Sequence, residues 1–321
     1  MMRLEIELKQ IKSIAIAGHV RPDGDCTGSC LAVYSYIREH FPEVEADVYL
    51  EVNNPAFALL KGAEEIRTDC TKDQKYDLFL ALDVSDKERL GDALKYFETA
   101  GRTICIDHHI TNRGFAEENV IDPKASSTSE LVFGLLEEEK ISRETAEALY
   151  MGIIHDTGIF QYSNTTPRTM EIAGKLMAKG IAFSRIIDET FYQKTYIQNQ
   201  VLGRALMESI LLLDGKIIMG RIRHKDMEFY GVGPKDLEGI VNQLRVTKGV
   251  EVAIFLHEIG NQEYKVSLRS NGPVDVSKVC AYFGGGGHVK AAGCTMHGTL
   301  HDVVNNLTLH IERQLLSEEP A

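Results

Sequence analysis

The spacing of apolar residues changes along the chain, and each change predicts a different kind of element. In the first half, short continuous apolar runs alternate with stretches whose apolar residues recur every three or four positions. SIAIAGH (13–19), VEADVYL (44–50), YDLFLALDV (76–84) and RTICIDHH (102–109) read as strands. TGSCLAVYSYIREHF (27–41) has helical spacing, with Leu31, Val33, Tyr34 and Ile37 as core contacts. DKERLGDALKYFETA (86–100) reads as a second helix. Apolar strands separated by helices imply βαβ units and a parallel sheet covered on both faces. Three more helices are expected: SSTSELVFGLLEEEK (126–140), opened by Ser/Thr caps, SRETAEALYMGIIHDTG (142–158), and residues 167–180, stopped by Gly180.

Residues 184–208, SRIIDETFYQKTYIQNQVLGRALME, contain no Pro and read as one helix linking two halves. Beyond it the character changes. SILLLDGKIIMGRIR (209–223) predicts a hairpin about Asp214-Gly215, and EVAIFLHEIGNQEYKVSLRS (251–270) another about Gly260-Asn261. GGGGHVKAAG (284–293) reads as a glycine run with His288, followed by a helix. The expected fold class is α/β. An N-terminal parallel-sheet domain (1–183) is joined by a helical linker (184–208) to a smaller α+β domain (209–321). The tail LLSEEPA is expected to fray.

A length of 321 residues suits two domains, and a hydrophobic content of 44% is enough to build their cores. No apolar run approaches the roughly 18 residues of a membrane span. The opening MMRLEIELKQIKS mixes acidic with apolar residues and has no leader pattern, so a cytoplasmic protein without membrane partners is expected. The six Cys form no CxxC pair and read as buried reduced thiols rather than disulfides or a zinc site. The net charge of −12, with no Lys/Arg block, argues against binding long duplex nucleic acid. A small anionic ligand remains compatible if metal ions and a few cations supply local positive charge.

Candidate chemistry gathers in GHVRPDGDCTGS (18–29), ALDVSD (81–86), IDHHITN (106–112) and IIHDTG (153–158). The first three follow predicted strands, and in an open α/β sheet the carboxyl ends of strands face the ligand crevice. Each piece alone has an ordinary reading. Asp23 and Asp25 suit an Asx-rich turn capping the next helix. A lone Asp83 ending a buried strand is commonly satisfied by backbone, Asp156 suits a helix-end cap, and His155 reads as a helix-end contact. Adjacent side chains on extended chain point in opposite directions, so His108 and His109 do not readily bind one ion side by side. Together, however, His19, Asp23, Asp25, Asp83, His108 and Asp156 supply two imidazoles and four carboxylates. Crowded carboxylates repel unless a cation separates them. The set suits two divalent ions sharing one carboxylate. Mixed ligation favours Mn²⁺, with Zn²⁺, Fe²⁺ or Co²⁺ as competitors, whereas Mg²⁺ prefers oxygens. Two ions roughly 3.5–4 Å apart are a recurring device for phosphoryl hydrolysis.

In this order the four segments resemble the DHH phosphoesterase superfamily. SLRSNGPVDVSKVCAYFGGGGHVKAAG (267–293) resembles its DHH-associated C-terminal domain with the GGGH loop. The nearest form is the short RecJ-like branch. It holds oligoribonucleases (nanoRNases) that also remove the 3′-phosphate of pAp, and phosphodiesterases of linear pApA. The resemblance implies that His19 and Asp23 bind one Mn²⁺, that Asp25, His108 and Asp156 bind the other, and that Asp83 bridges. Co²⁺, Zn²⁺ or Mg²⁺ would be substitutes. His109 would face the substrate phosphate, and Asp107 would orient a histidine from behind. In the second domain Arg269, Ser270, Gly285, Gly286, Gly287 and His288 would hold the substrate's other phosphate or terminal nucleotide. Glycines admit backbone N–H groups to an anion, the following helix would add its N-terminus, and Arg suits bidentate phosphate recognition.

The active site is then expected in the cleft between the domains. The expected activity is Mn²⁺-dependent hydrolysis of oligoribonucleotides of two to five nucleotides and of the 3′-phosphate of pAp. The alternatives are a linear pApA phosphodiesterase, an inorganic pyrophosphatase or a non-catalytic nucleotide sensor. Short nucleotides and short single-stranded RNA are the expected partners. Homodimers occur in the family, but no interface signature stands out here.

Overall fold

Four of the apolar runs become parallel strands because both of their faces are covered. The computed structural model describes residues 3–51 and 54–316; Met1, Met2 and the end of the tail (317–321) lie outside the described residues, as do Val52 and Asn53. The chain divides between Gln193 and Lys194 into two units.

The N-terminal unit runs α1 (Leu4–Leu8), β1 (Ser13–Ala17), α2 (Gly24–His40), β2 (Glu45–Tyr49), β3 (Leu78–Leu82), α3 (Leu94–Thr99), β4 (Arg102–Asp107), β5 (Glu118–Ile121), α4 (Thr128–Leu135), α5 (Arg143–Asp156), α6 (Pro167–Ala178) and α7 (Phe183–Ile187). Its sheet has the order β2-β1-β3-β4-β5, with every pairing parallel. One face packs Ile14, Ile16, Leu80 and Ile104 against α2, α4 and α5. The other packs Ala15, Ala17, Phe79 and Cys105 with Tyr49, Tyr76 and Tyr96. Burial on both faces explains the unbroken apolar runs. The order reverses between β1 and β3, which makes their carboxyl ends the expected ligand crevice.

Three details depart from the periodicity. The half-exposed edge strand β5 carries no strong apolar signal and was not anticipated. The helix expected over 86–100 is a 3₁₀ segment, Lys87–Ala93, followed by the short α3. Gly91 breaks it with φ +56°, and a Cβ there would lie 2.7 Å from Val20 Cγ1. The helix expected over 126–140 ends at Leu135.

The linker is not one helix either. It is α7, a π-helical turn at Asp188–Tyr192, an extended Gln193, and then α8 (Tyr196–Met207). Thr195 and Gln198 form a capping box that starts α8 afresh.

The C-terminal unit continues with β6 (Ile210–Leu212), β7 (Ile217–Ile222), α9 (His224–Tyr230), α10 (Ile240–Arg245), β8 (Val252–Gly260), β9 (Glu263–Ser270), α11 (Val276–Tyr282), β10 (Gly286–His288), β11 (Ala291–His297) and α12 (Leu300–Leu316). The sheet order is β10-β11-β9-β8-β7-β6; β7 and β8 pair parallel and the rest antiparallel. Both expected hairpins form. The second turns at Asn261–Gln262, one residue later than expected, with Gly260 opposite Glu263. GGGGHVKAAG is corrected: it is the β10–β11 hairpin, and no helix follows the glycines. Burial alternates along β11, with Ala292, Cys294 and Met296 inward, which is a strand period. The glycine loop therefore leads into a strand and has no helix N-terminus behind it to favour an anion.

Candidate active site

The strand register brings three of the candidate segments level. Ala17 pairs with Ala81, and Ala81 with Cys105, so the residues just beyond β1, β3 and β4 leave the sheet along one edge. Asp83 turns out of β3 with φ +59°, a conformation costly for a residue with a Cβ. It is 2% exposed, and three imidazoles surround it. His19 Nε2 lies 3.5 Å from its Oδ2, while His108 Nε2 and His109 Nδ1 each lie 3.6 Å from its Oδ1. The fourth segment arrives on α5, whose last residue, Asp156, sits 2.9 Å from His108 Nε2.

Local bonds fix each group. His19 Nδ1 donates to the Val20 carbonyl at 2.8 Å, which turns Nε2 towards Asp83 and towards Asp23, 3.7 Å away. Asp23 caps the helix and also faces the cluster. One oxygen caps α2 by accepting from Asp25 N and Cys26 N at 3.1 Å, and the other faces His19. Asp25, fully buried, accepts from Thr128 N at 2.6 Å and Ser129 N at 2.9 Å. This is possible because α2 and α5 cross closely at glycines: a Cβ on Gly28 would lie 2.5 Å from the Ala148 carbonyl, and one on Gly152 would lie 2.7 Å from Asp25 Oδ1.

His109 faces differently from His108. Its Nδ1 bonds Asp107 Oδ1 at 2.7 Å, and the other Asp107 oxygen accepts from Asn112 Nδ2 at 2.7 Å. His155 is a helix-end contact, as read from the sequence. Its Nε2 is 3.0 Å from Thr190 Oγ1, and its ring stands edge-on to Phe57 and Phe191. Burial pushes this imidazole down to about 4, so it stays neutral. Thr128, Ser129 and Asn112 were not singled out as site residues from the sequence. The Ser/Thr cap of SSTSE marked a helix start, but nothing local pointed it at Asp25.

The electrostatics show a site that demands positive charge. Burial opposes protonation of His19, yet Asp23 and Asp83 outweigh it and raise the pKa to about 10. His108 likewise rises to about 10 against burial, driven by Asp156, Asp25 and Asp83. Burial, and then repulsion from Asp83 and Asp156, push Asp25 well above the carboxylate range. Burial raises Asp156 to about 6, with His108 pulling the other way. Ligand atoms of Asp25, His108 and Asp156 lie within 4.8 Å of one another, as do those of Asp83, His108 and His109. His19, Cys26 and Asp83 form a third such group, but burial keeps the Cys26 thiol protonated and makes it a poor ligand.

In the C-terminal unit, His288 pairs with Ala291 and Ala291 with Arg269, which sets His288 and Arg269 in one row on one sheet face. Arg269 Nε donates to Asn242 Oδ1 and Nη1 to the Leu268 carbonyl, both at 3.0 Å. Ser270 does not join them. It is buried, and its hydroxyl donates to the Gly272 carbonyl. Gly285 and Gly287 are required by the hairpin, since a Cβ on either would come within 2.5 Å of backbone on β11; Gly286 faces open space.

Two family models match the chain: the DHH family N-terminal domain over residues 13–153 and the DHHA1 domain over 214–315. The bifunctional oligoribonuclease and PAP phosphatase NrnA of Thermus thermophilus is 30% identical, across 98% of this chain and 94% of that protein. The protein of the same name from Bacillus subtilis is 26% identical, across 89% and 90%. The crystal structure of an exopolyphosphatase-related protein from Bacteroides fragilis matches with a TM-score of 0.90 and 26% identity, covering 98% of this chain and 96% of that one. The shared domains and the full-length likeness lead to one conclusion: the chain belongs to the DHH family and is a metal-dependent phosphohydrolase.

Proposed function

We propose that this phosphohydrolase cleaves short oligoribonucleotides to mononucleotides and removes the 3′-phosphate of pAp, with Mn²⁺ as its metal. One observation carries the proposal. His19, Asp23, Asp25, Asp83, His108 and Asp156 converge on one sheet edge, in a chain whose full-length relatives are named for those two activities. The donor set fits two divalent ions, with His19 and Asp23 at one, Asp25, His108 and Asp156 at the other, and Asp83 between. Oxygen and imidazole donors suit Mn²⁺, with Co²⁺, Zn²⁺ or Mg²⁺ as substitutes. When bound, such a pair polarises phosphoryl oxygens and lowers the pKa of a water to near neutral.

The chain's own groups do the rest. Asp107 holds the Nδ1 proton of His109, so Nε2 is the atom that meets substrate. Burial opposes the charge on His109, but Asp107 and Asp83 raise its pKa, and a protonated ring stabilises phosphoryl charge or protonates the leaving oxygen. Arg269 and His288, in one row, supply cationic and hydrogen-bonding groups for a second phosphate. The Ser270 hydroxyl is left out of this role because the Gly272 carbonyl engages it.

The test is a hydrolysis panel with Mn²⁺ against pAp, two- to five-nucleotide RNA, linear pApA and pyrophosphate, with products identified by chromatography. Release of AMP from pAp and of mononucleotides from short RNA is expected. Cleavage of pyrophosphate alone would sink the nucleotide reading. Nucleotide binding without turnover would make the protein a sensor.

A further inference from the structure

We infer that Thr128 is a positioning residue that sets Asp25 and Asp83 relative to one another. The inference rests on the ligand roles proposed above. Thr128 is the first residue of α4 and is fully buried. Its backbone N–H donates to Asp25 Oδ2 at 2.6 Å, and its hydroxyl donates to Asp83 Oδ1 at 3.0 Å. One residue therefore holds two carboxylates that reach the site from two different segments.

The first turn of α4 is built for this. A helix start leaves several backbone N–H groups without partners inside the helix. Ser127 satisfies Glu130 N with its hydroxyl at 3.1 Å. Asp25 takes the next two, from Thr128 and Ser129, one on each carboxylate oxygen. Glu130, buried in the same turn, accepts from Ser126 Oγ at 2.6 Å and Thr169 Oγ1 at 2.8 Å, which ties the turn to the start of α6. On the far side α5 leaves no slack, because a Cβ on Gly152 would meet both Ser129 Oγ and Asp25 Oδ1. Asp25 is thus clamped between α4 and α5. Asp83, in its unfavourable left-handed conformation, is held by the hydroxyl of the residue that clamps Asp25.

The experiment compares Thr128→Val, which keeps the shape and the N–H but loses the hydroxyl, with Thr128→Ser, which keeps the hydroxyl. Mn²⁺ binding is measured by calorimetry, kcat and KM on pAp, and thermal unfolding in chelator. Thr128→Val is expected to bind Mn²⁺ about 10- to 100-fold more weakly and to lose kcat in the same range, with KM unchanged. Thr128→Ser is expected to restore both to within a few-fold of the parent. Should Thr128→Val not fold, Thr128→Ala carries the same expectation. Unchanged Mn²⁺ affinity in the hydroxyl-free variant, even with a lowered Tm, would reduce the hydroxyl to a stability role and overturn the inference. So would a Ser variant as impaired as Val. Asp25→Asn and Asp83→Asn serve as controls. If they keep both ions, the ligand reading fails; if they lose metal while Thr128→Val does not, only the role of Thr128 fails.

Discussion

Asp107 holds His109 from behind: its Oδ1 lies 2.7 Å from Nδ1 of an imidazole only two residues further along. Asp107 is fully buried, and Asn112 pins its second oxygen while also donating to the Val84 carbonyl at 2.9 Å. The neighbouring imidazole, His108, instead spends its Nε2 on Asp156. Two adjacent rings thus have different carboxylate partners, Asp156 for His108 and the buried Asp107 for His109.

This division predicts opposite outcomes for the two histidines. His109→Ala should lower kcat by about 10²- to 10⁴-fold, the range of a lost acid–base group, while two equivalents of Mn²⁺ stay bound. His108→Ala should lose metal. Asp107→Asn, which keeps the shape but removes the charge behind the ring, should lower kcat about 10- to 100-fold with metal content unchanged. Elemental analysis beside steady-state kinetics checks all three, and loss of an ion from His109→Ala would contradict the assignment.

Asp83→Ala should abolish activity. Three imidazoles lie within 3.6 Å of this carboxylate, so its removal takes away the group common to the whole cluster. The expected signature is fewer than two bound ions by calorimetric titration. Full stoichiometry would show that Asp83 does not bridge.

The metal-free protein should lose stability as pH rises from about 6.5 to about 10. His19 and His108 both have a raised folded pKa of about 10 against an ordinary value of 6.5, with burial opposing the shift and carboxylates causing it. The folded state therefore holds more protons in that window, so the slope of unfolding free energy against pH is negative there. With His19 and His108 as ligands in the proposed roles, Mn²⁺ should replace those protons, flatten the slope and release protons on binding. Thermal melts in chelator and in Mn²⁺ across this range, with calorimetry in buffers of different ionisation enthalpy, test the sign. A Tm in chelator that climbs with pH would refute it.

Gly152→Ala should be costly far beyond an ordinary helix substitution. The added methyl would lie 1.9 Å from Ser129 Oγ and 2.7 Å from Asp25 Oδ1. Overpacking of this kind costs about 1–3 kcal/mol, and here it also pushes on the Asp25 carboxylate, a ligand in the proposed site. Urea unfolding should show the loss, and calorimetry a weakened Mn²⁺ site. An alanine variant with parental stability and metal affinity would mean that α4 and α5 separate freely.

Local pattern carried the parallel sheet and the clustering of candidate ligands at its strand ends. β1 and β3 are buried along their whole length and β2 and β4 along most of theirs, and His19, Asp83 and His108 lie within two residues of the ends of β1, β3 and β4, so strand and candidate ligand sit close together in the chain. Where a backbone decision depended on a distant neighbour, periodicity misled. Gly91 breaks its helix against Val20, and AAG in 291–293 looks helical by composition yet is drawn into strand by pairing with β9. The support of the site was hidden for the same reason: Thr128 meets Asp25 across 103 positions and Asp83 across 45. Hydrogen bonds of that range leave no period in a sequence. They exist only once α2, α4 and α5 have packed against one face of the sheet, and that packing decides how carboxylates present in the chain become a site.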